Sequence, residues 1–267
     1  MTLIHLFIIA VIQGLTEFLP VSSSGHLILL PNLTGLEDQG LAIDVAVHVG
    51  TLGAVLLYFR SDVAKAISGI PQVLRRQFES QEARLSLGLV IATIPVVIAG
   101  LALSLTGYTE ALRSITVIGW TMIIFGLVLY WTDRKGSTER QADSWSLKHA
   151  WIMGLWQAVA LIPGTSRSGI TISAARHLGY AREDAARLAM LMSIPTIIAS
   201  GTLLGLDVIS EGNLDVARDG LIAAALSFFA ALFAIWGMMR LLKHVSFTPY
   251  VIYRCALGVV LLWIAYT

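Results

Sequence analysis

The sequence predicts an all-α integral membrane protein: six transmembrane helices plus two re-entrant helical hairpins, arranged as inverted-topology repeats. Three observations carry that prediction. Only 13% of the 267 residues are charged and 56% are hydrophobic, with a mean hydropathy of +0.77; a soluble domain carries about 25% charged residues. Six uninterrupted apolar stretches are each long enough to cross a bilayer, which takes roughly 17–25 residues as a helix. Two further apolar stretches are broken by Pro/Ser/Thr/Gly clusters that look like copies of each other.

The first broken stretch, about 2–30, contains Gln13-Gly-Leu-Thr-Glu17-Phe-Leu-Pro20-Val-Ser-Ser-Ser-Gly25-His26. It has no Lys or Arg before its apolar run and no small-residue cleavage site after it, so it reads as retained structure rather than a signal peptide. Each half is short for a full crossing, which favours a re-entrant hairpin over a single ordinary span at 2–19. Spans follow at about 42–59, 86–104 and 115–131. Between the first two, Val63, Ile67, Ile70, Leu74 and Phe78 recur at roughly helical spacing among charges, predicting an amphipathic surface helix. The polar stretch 132–146 predicts a solvated loop. The second broken stretch, about 150–178, contains Gln157-Ala-Val-Ala-Leu-Ile-Pro163-Gly-Thr-Ser-Arg167-Ser-Gly169, and spans at about 185–205, 221–240 and 250–266 complete the chain. Pro95 and Pro195 are expected to kink their spans. Trp131, Trp145, Trp151, Trp236 and Trp263, with Tyr58, Tyr130 and Tyr266, lie near span ends and read as an aromatic belt. The expected organisation is one membrane domain with repeats at 1–131 and 150–267 and a cytoplasmic linker at 132–149.

Charge placement orients the chain. Arg60, Lys65, Arg75, Arg76 and Arg84, then Arg134, Lys135, Arg140 and Lys148, then Arg240, Lys243 and Arg254 mark cytoplasmic loops by the positive-inside rule. The acidic segments 31–44 and 207–219, with the short 105–114 loop, are expected outside, as are both termini. The hairpins then enter from opposite faces, the signature of an inverted repeat. Net charge is only +1, and nothing resembles a basic nucleic-acid face. The lone Cys255 excludes an intrachain disulfide. No metal cluster, phosphate-binding P-loop or dinucleotide fingerprint is present.

Polar groups at membrane depth are expensive and mark functional sites. Non-helical backbone there must line a cavity or be covered by protein, so two hairpins meeting midway would build one polar pocket. Their Ser/Thr clusters supply N-cap hydroxyls, and a helix N-terminus after such a turn attracts phosphate. Candidate phosphate binders are Ser22, Ser24, Gly164, Thr165, Ser166, Arg167 and Ser168. The Arg167 guanidinium suits bidentate phosphate contact; the competing reading has it snorkel to the surface. Gln13 and Glu17 share one helix face, and a divalent cation, Mg²⁺ or Ca²⁺, on Glu17 and Gln13 would bridge to phosphate oxygens. Glu17 could instead be a general base, or only a structural partner of Arg167. His26 is a candidate acid, base or nucleophile, and Ser23 a candidate nucleophile; an interior histidine and simple capping serines are the plainer alternatives. His48 reads as part of a packed polar pair, while His5, His149, His177 and His244 are expected to be solvated.

Both motifs resemble those of the undecaprenyl-pyrophosphate phosphatase, or bacitracin-resistance protein, family, and the resemblance covers essentially the whole chain. The Glu/Gln-x-x-x-Glu pattern falls on Gln13 and Glu17 and runs into Pro20 to His26. The Pro-Gly-x-Ser-Arg-Ser-Gly pattern falls on Pro163 to Gly169. The resemblance implies a bacterial inner-membrane enzyme, open to the periplasm and using a divalent cation. It would hydrolyse the terminal phosphate of a C55 polyprenyl pyrophosphate, returning the carrier lipid to cell-wall synthesis. It also implies Glu17 as a metal or acid/base residue, His26 and Ser23 as catalytic candidates, and Ser166 with Arg167 as phosphate binders, so that the expected catalytic set is Glu17, His26, Ser23 and Arg167. The first motif position, often Glu in relatives, is Gln13 here, which concentrates the carboxylate role on Glu17. A membrane acid-phosphatase pattern fails, because Ser173 and His177 stand where its histidine and aspartate belong. The implied partners are the lipid pyrophosphate and the bilayer, with a homodimer left open. A transporter of an anionic lipid or solute is the rival reading, since broken helices in inverted repeats suit that class as well.

Overall fold

The computed structural model describes residues 1–35, 40–106, 112, 114–209 and 214–267, with the side chains at 32–34, 203–209 and 214–215 excepted. The segments 36–39, 107–111, 113 and 210–213, which hold much of the expected outer loops and the acidic Glu37, Asp38 and Glu211, lie outside the described residues. Eleven α-helices occupy the described chain: α1 Leu3–Phe18, α2 Ser23–Thr34, α3 Gly40–Tyr58, α4 Arg60–Leu74, α5 Gln81–Thr106, α6 Ile115–Lys135, α7 Leu147–Ala158, α8 Arg167–His177, α9 Arg182–Ile209, α10 Leu214–Leu241 and α11 Thr248–Tyr266. Six of them, α3, α5, α6, α9, α10 and α11, are long and apolar enough to cross a membrane, and they coincide with the six expected spans. The two broken stretches form the short pairs α1–α2 and α7–α8.

Unbroken runs of Leu, Ile, Val and Ala dictate these helices, and side chains supply the caps that the first turn lacks. Thr2, Ser114 and Ser146 each accept from the backbone N–H three residues on. Between helices that water cannot drive together, close backbone approach supplies the packing. The pairings of the broken helices are exchanged between the halves: α1 packs on α10, and α7 packs on α5. Each contact has a glycine at its closest point. A Cβ on Gly14 would lie 2.5 Å from the Ala230 Cβ, and one on Gly154 would lie 2.6 Å from the Ala92 carbonyl oxygen. Half of the membrane-length window of α9 is buried, against 22% for α11, so α9 runs through the interior, packed on α8, α3 and α5, and α11 is the more peripheral.

Two contacts bring helix ends together. The N-terminal ammonium pairs with Asp219 at 2.9 Å, so residue 1 lies beside the 207–219 segment. Trp120 donates its indole N–H to the Tyr266 hydroxyl at 3.3 Å, placing the C-terminus at the same end as the start of α6. Helix α4 is the expected amphipathic element, with Ile67, Ile70 and Leu74 exposed along one face.

Three expectations are corrected. The 132–146 stretch is mostly exposed, as expected, but Thr132, Asp133, Ala142 and Trp145 within it are buried. Asp133 is buried and takes the Arg176 and Arg182 Nε–H groups at 3.0 and 2.8 Å, and its other oxygen accepts from the Phe247 backbone. Trp145 is buried against Gly88 instead of joining an interfacial belt. In the neighbouring turn Tyr180 is fully buried, which pushes its phenol up to about 12. His5 is likewise buried rather than solvated. The third correction concerns Arg254, which is not a loop residue: it sits inside α11, fully buried.

Candidate active site

The two breaks share one local geometry. After α1 the chain turns through Leu19–Ser22, and Ser22 adopts φ 74° and ψ 94° before α2 begins. After α7 it turns through Ile162–Ser166, and Ser166 adopts φ 70° and ψ 112° before α8 begins. In both, the serine hydroxyl caps the helix by accepting from a glycine N–H, Gly25 at 3.3 Å and Gly169 at 3.1 Å. In both it also contacts the hydroxyl two residues on, Ser24 at 3.2 Å and Ser168 at 3.1 Å. Positive φ at a non-glycine residue costs about 1–3 kcal/mol and collects at functional sites. Each cap leaves the first two helical N–H groups, of Ser23 and Ser24 and of Arg167 and Ser168, without a helical partner. Among the described residues no other acceptor takes them.

The hairpin tips touch. Glu17, 8% exposed, accepts from Arg167 Nη2 on Oε1 at 2.5 Å. Its Oε2 accepts from Ser23 Oγ at 2.7 Å and from Gln13 Nε2 at 2.8 Å. The other Arg167 nitrogen, Nη1, donates to the Ser193 carbonyl of α9 at 3.2 Å. Ser168 Oγ crosses to the Leu19 carbonyl at 2.9 Å. The carboxylate of one hairpin and the guanidinium of the other therefore share one site.

A cavity of about 300 Å³ opens on this pair. It is lined by the polar Glu17, Ser22, Ser23, Ser24, Ser166 and Arg167 and by the apolar Val96, Ala160, Leu161 and Ile197. Such a mixed lining suits a polar head joined to an apolar body. The snorkelling alternative for Arg167 does not hold, since its side chain is only 16% exposed and points into this pocket.

Not every expected residue reaches the cavity. Gly164 and Thr165 shape the second tip from behind. Gly164 has φ 84°, and a Cβ there would meet Thr121 Oγ1 at 2.2 Å; Thr165 is fully buried. Ser168 serves the tip-to-tip contact. Gln13 is fully buried behind Glu17, and its Oε1 finds no donor among the described residues. His26 lies outside the cavity lining: one ring nitrogen faces the Ser22 carbonyl at 2.7 Å and the other the Tyr253 hydroxyl at 2.6 Å.

Four residues that the sequence did not single out for the pocket complete it. His48 lines it with Nε2 3.7 Å from Glu17 Oε2 and Nδ1 on the Asp44 carbonyl at 2.7 Å; Gln157, Thr196 and Ser200 line it as well. Gln157 stands in α7 where Gln13 stands in α1, a correspondence that the likeness of the two stretches could have supplied. Arg254 sits behind both tips, donating to the Thr165 carbonyl at 2.8 Å, Gly164 at 3.1 Å, Met122 at 3.3 Å and Pro20 at 3.4 Å. Its signal was a charge inside an apolar run.

The donor set can be tested against a divalent cation. Among the described residues no group of three or more His, Cys, Asp or Glu side chains is placed to cage a metal. Magnesium, however, takes one or two protein oxygens and completes its shell from phosphate and water. The Glu17 carboxylate is a hard donor on the cavity lining and fits that role, whereas the Gln13 amide oxygen, fully buried behind it and outside the lining, does not reach the cavity.

The bacitracin resistance protein BacA family model matches residues 6–260. The undecaprenyl-diphosphatase of Jannaschia sp. (strain CCS1) is 68% identical over 266 residues, covering 100% of both chains. That of Ruegeria pomeroyi is 66% identical over 267 residues, again 100% of both. The more distant undecaprenyl-diphosphatase of Chromohalobacter salexigens is 47% identical over 264 residues, 98% of this chain and 99% of the relative.

Proposed function

The chain belongs to the bacitracin resistance protein BacA family, and from that premise we propose that it hydrolyses undecaprenyl pyrophosphate to the monophosphate, recycling the carrier lipid. The observation that carries this reading is the contact between Glu17 and Arg167 across the two broken helices, in a cavity lined by both polar and apolar side chains. The terminal phosphate sits among the polar side chains, where Arg167 and the free N–H groups at the starts of α2 and α8 take its oxygens. The prenyl chain leaves past Val96, Leu161 and Ile197.

Ser23 is the nucleophile that the geometry favours, because its hydroxyl already donates to Glu17. Its proton passes to the Glu17 carboxylate, its oxygen bonds to the terminal phosphorus, and the bridging P–O bond breaks to release the lipid monophosphate. Water then cleaves the phosphoserine. Positioned positive charge on the transferring group supplies most of the rate in such reactions. A divalent cation, Mg²⁺ or Ca²⁺, held by Glu17 would neutralise phosphate charge when bound.

In this reading the protein is a multi-pass protein of the bacterial inner membrane, built of two inverted-topology repeats with re-entrant hairpins. The pocket opens to the periplasm and both termini lie on that side. A homodimer is compatible with it. The test is phosphate release by the purified protein in detergent, given C55 pyrophosphate with Mg²⁺ or with a chelator. One inorganic phosphate and one lipid monophosphate per substrate, lost on chelation, is the expected result. Binding of the lipid without phosphate release would replace the enzyme with a carrier.

A further inference from the structure

The helix α11 delivers two adjacent side chains to the site from behind. Arg254 ties the backbone of both tips, and Tyr253 reaches only one ring, that of His26. The Tyr253 hydroxyl lies 2.6 Å from His26 Nε2, with the two rings within 3° of coplanar and their centroids 5.7 Å apart. On the other side His26 Nδ1 lies 2.7 Å from the Ser22 carbonyl. A carbonyl oxygen can only accept, so Nδ1 carries the proton. In the neutral ring Nε2 then has a lone pair, and Tyr253 must be the donor. The Ser22 carbonyl thus selects the Nδ1–H tautomer, the minor one for a histidine side chain in water, and the Tyr253 hydroxyl donates to the lone pair left on Nε2.

That tautomer holds the Ser22 carbonyl, and Ser22 is the residue at φ 74° whose turn sets the position of Ser23. The second hairpin carries Ile170 at the position matching His26, and its tip has no such brace. We propose that Tyr253 is a positioning residue for phosphoryl transfer: through His26 it pins the strained Ser22 turn, so that Ser23 Oγ stays on Glu17. His26 in this arrangement acts on the turn and not on phosphorus. The inference rests on the hydrolase reading for its kinetic arm only.

The experiment compares wild type with Tyr253→Phe, which removes the hydroxyl and keeps the half-exposed ring, in protein labelled with ¹⁵N-histidine and held in detergent. The His26 signals are assigned by their loss in His26→Gln. Wild type is expected to show a protonated Nδ1 and an unprotonated, hydrogen-bonded Nε2; in Tyr253→Phe the Nε2 resonance moves toward a free acceptor or averages between tautomers. Loss of one such hydrogen bond corresponds to about a three- to tenfold fall, expected in kcat with KM unchanged. Tyr253→Phe should add nothing further in a His26→Gln background. A wild-type Nε2 that carries the proton, an Nε2 signal unmoved by Tyr253→Phe, an unaltered kcat, or full additivity of the two substitutions would each overturn the proposal. If the wild type releases no phosphate at all, the hydrolase reading fails, while the ¹⁵N arm still decides the tautomer.

Discussion

Replacing Arg254 by Met keeps the length and apolar volume of the side chain and removes all of its donors. The buried guanidinium makes four contacts to carbonyl oxygens at 2.8–3.4 Å, and no carboxylate pairs with it among the described residues. The Met122 carbonyl lies inside α6 and keeps a helical donor, so the bonds at stake are those to Thr165, Gly164 and, at 3.4 Å, Pro20. The two short ones are charge-assisted and contribute about 1.5–3 kcal/mol each. Against that, burying an unpaired cation costs several kcal/mol, which the methionine recovers. The terms nearly cancel, so thermal stability should change by no more than about 2 kcal/mol in either direction. Activity has no such compensation: the two tips lose their common tie, and a displacement of about 1 Å at a reacting centre costs about a hundredfold. The assay is phosphate release beside a thermal melt of the same detergent-solubilised protein. The expected result is a near-normal melt with kcat down about a hundredfold. A variant that melts normally and keeps kcat within about threefold would show that packing alone registers the hairpins, and would refute this account of Arg254.

The remaining predictions concern the frame. Gly14→Val puts a side chain where a Cβ is already 2.5 Å from Ala230 and 2.7 Å from the Ser227 carbonyl. Overpacking of that kind costs about 1–3 kcal/mol or more, read as a lower melting temperature; an unchanged melt would contradict the close α1–α10 approach. Asp133→Ala leaves Arg176 buried without its carboxylate partner. It should destabilise the fold by about 3–5 kcal/mol, and a variant as stable as wild type would show that the carbonyl contacts of Arg176 suffice.

The sequence made the six spans legible because their residues are uniformly apolar over bilayer length. It made the two breaks legible because Pro20 to Gly25 and Pro163 to Gly169 interrupt runs that would otherwise continue. It also placed Glu17, Ser23, Ser166 and Arg167 in one site, since buried charges of opposite sign on matching breaks have few other partners. What it hid are long-range contacts. Arg254 donates to residues 90 and 234 positions away, and in one dimension an arginine near the end of an apolar run looks like a loop marker. Trp145 and Asp133 misled for the same reason: polar neighbours suggest solvent, while the packing of α5, α8 and α9 that buries them is a property of the assembled fold. His26 was read for its chemistry, and only the coordinates reveal that both its nitrogens are engaged away from the pocket.

The measurement closest to the central claim is phosphate release from C55 pyrophosphate by Glu17→Ala and Arg167→Ala, each checked for a cooperative melt. If the carboxylate of one hairpin and the guanidinium of the other work on the same phosphate, each loss should cost at least about a hundredfold in kcat/KM. Folded variants that turn over near the wild-type rate would place the chemistry somewhere other than between the two broken helices.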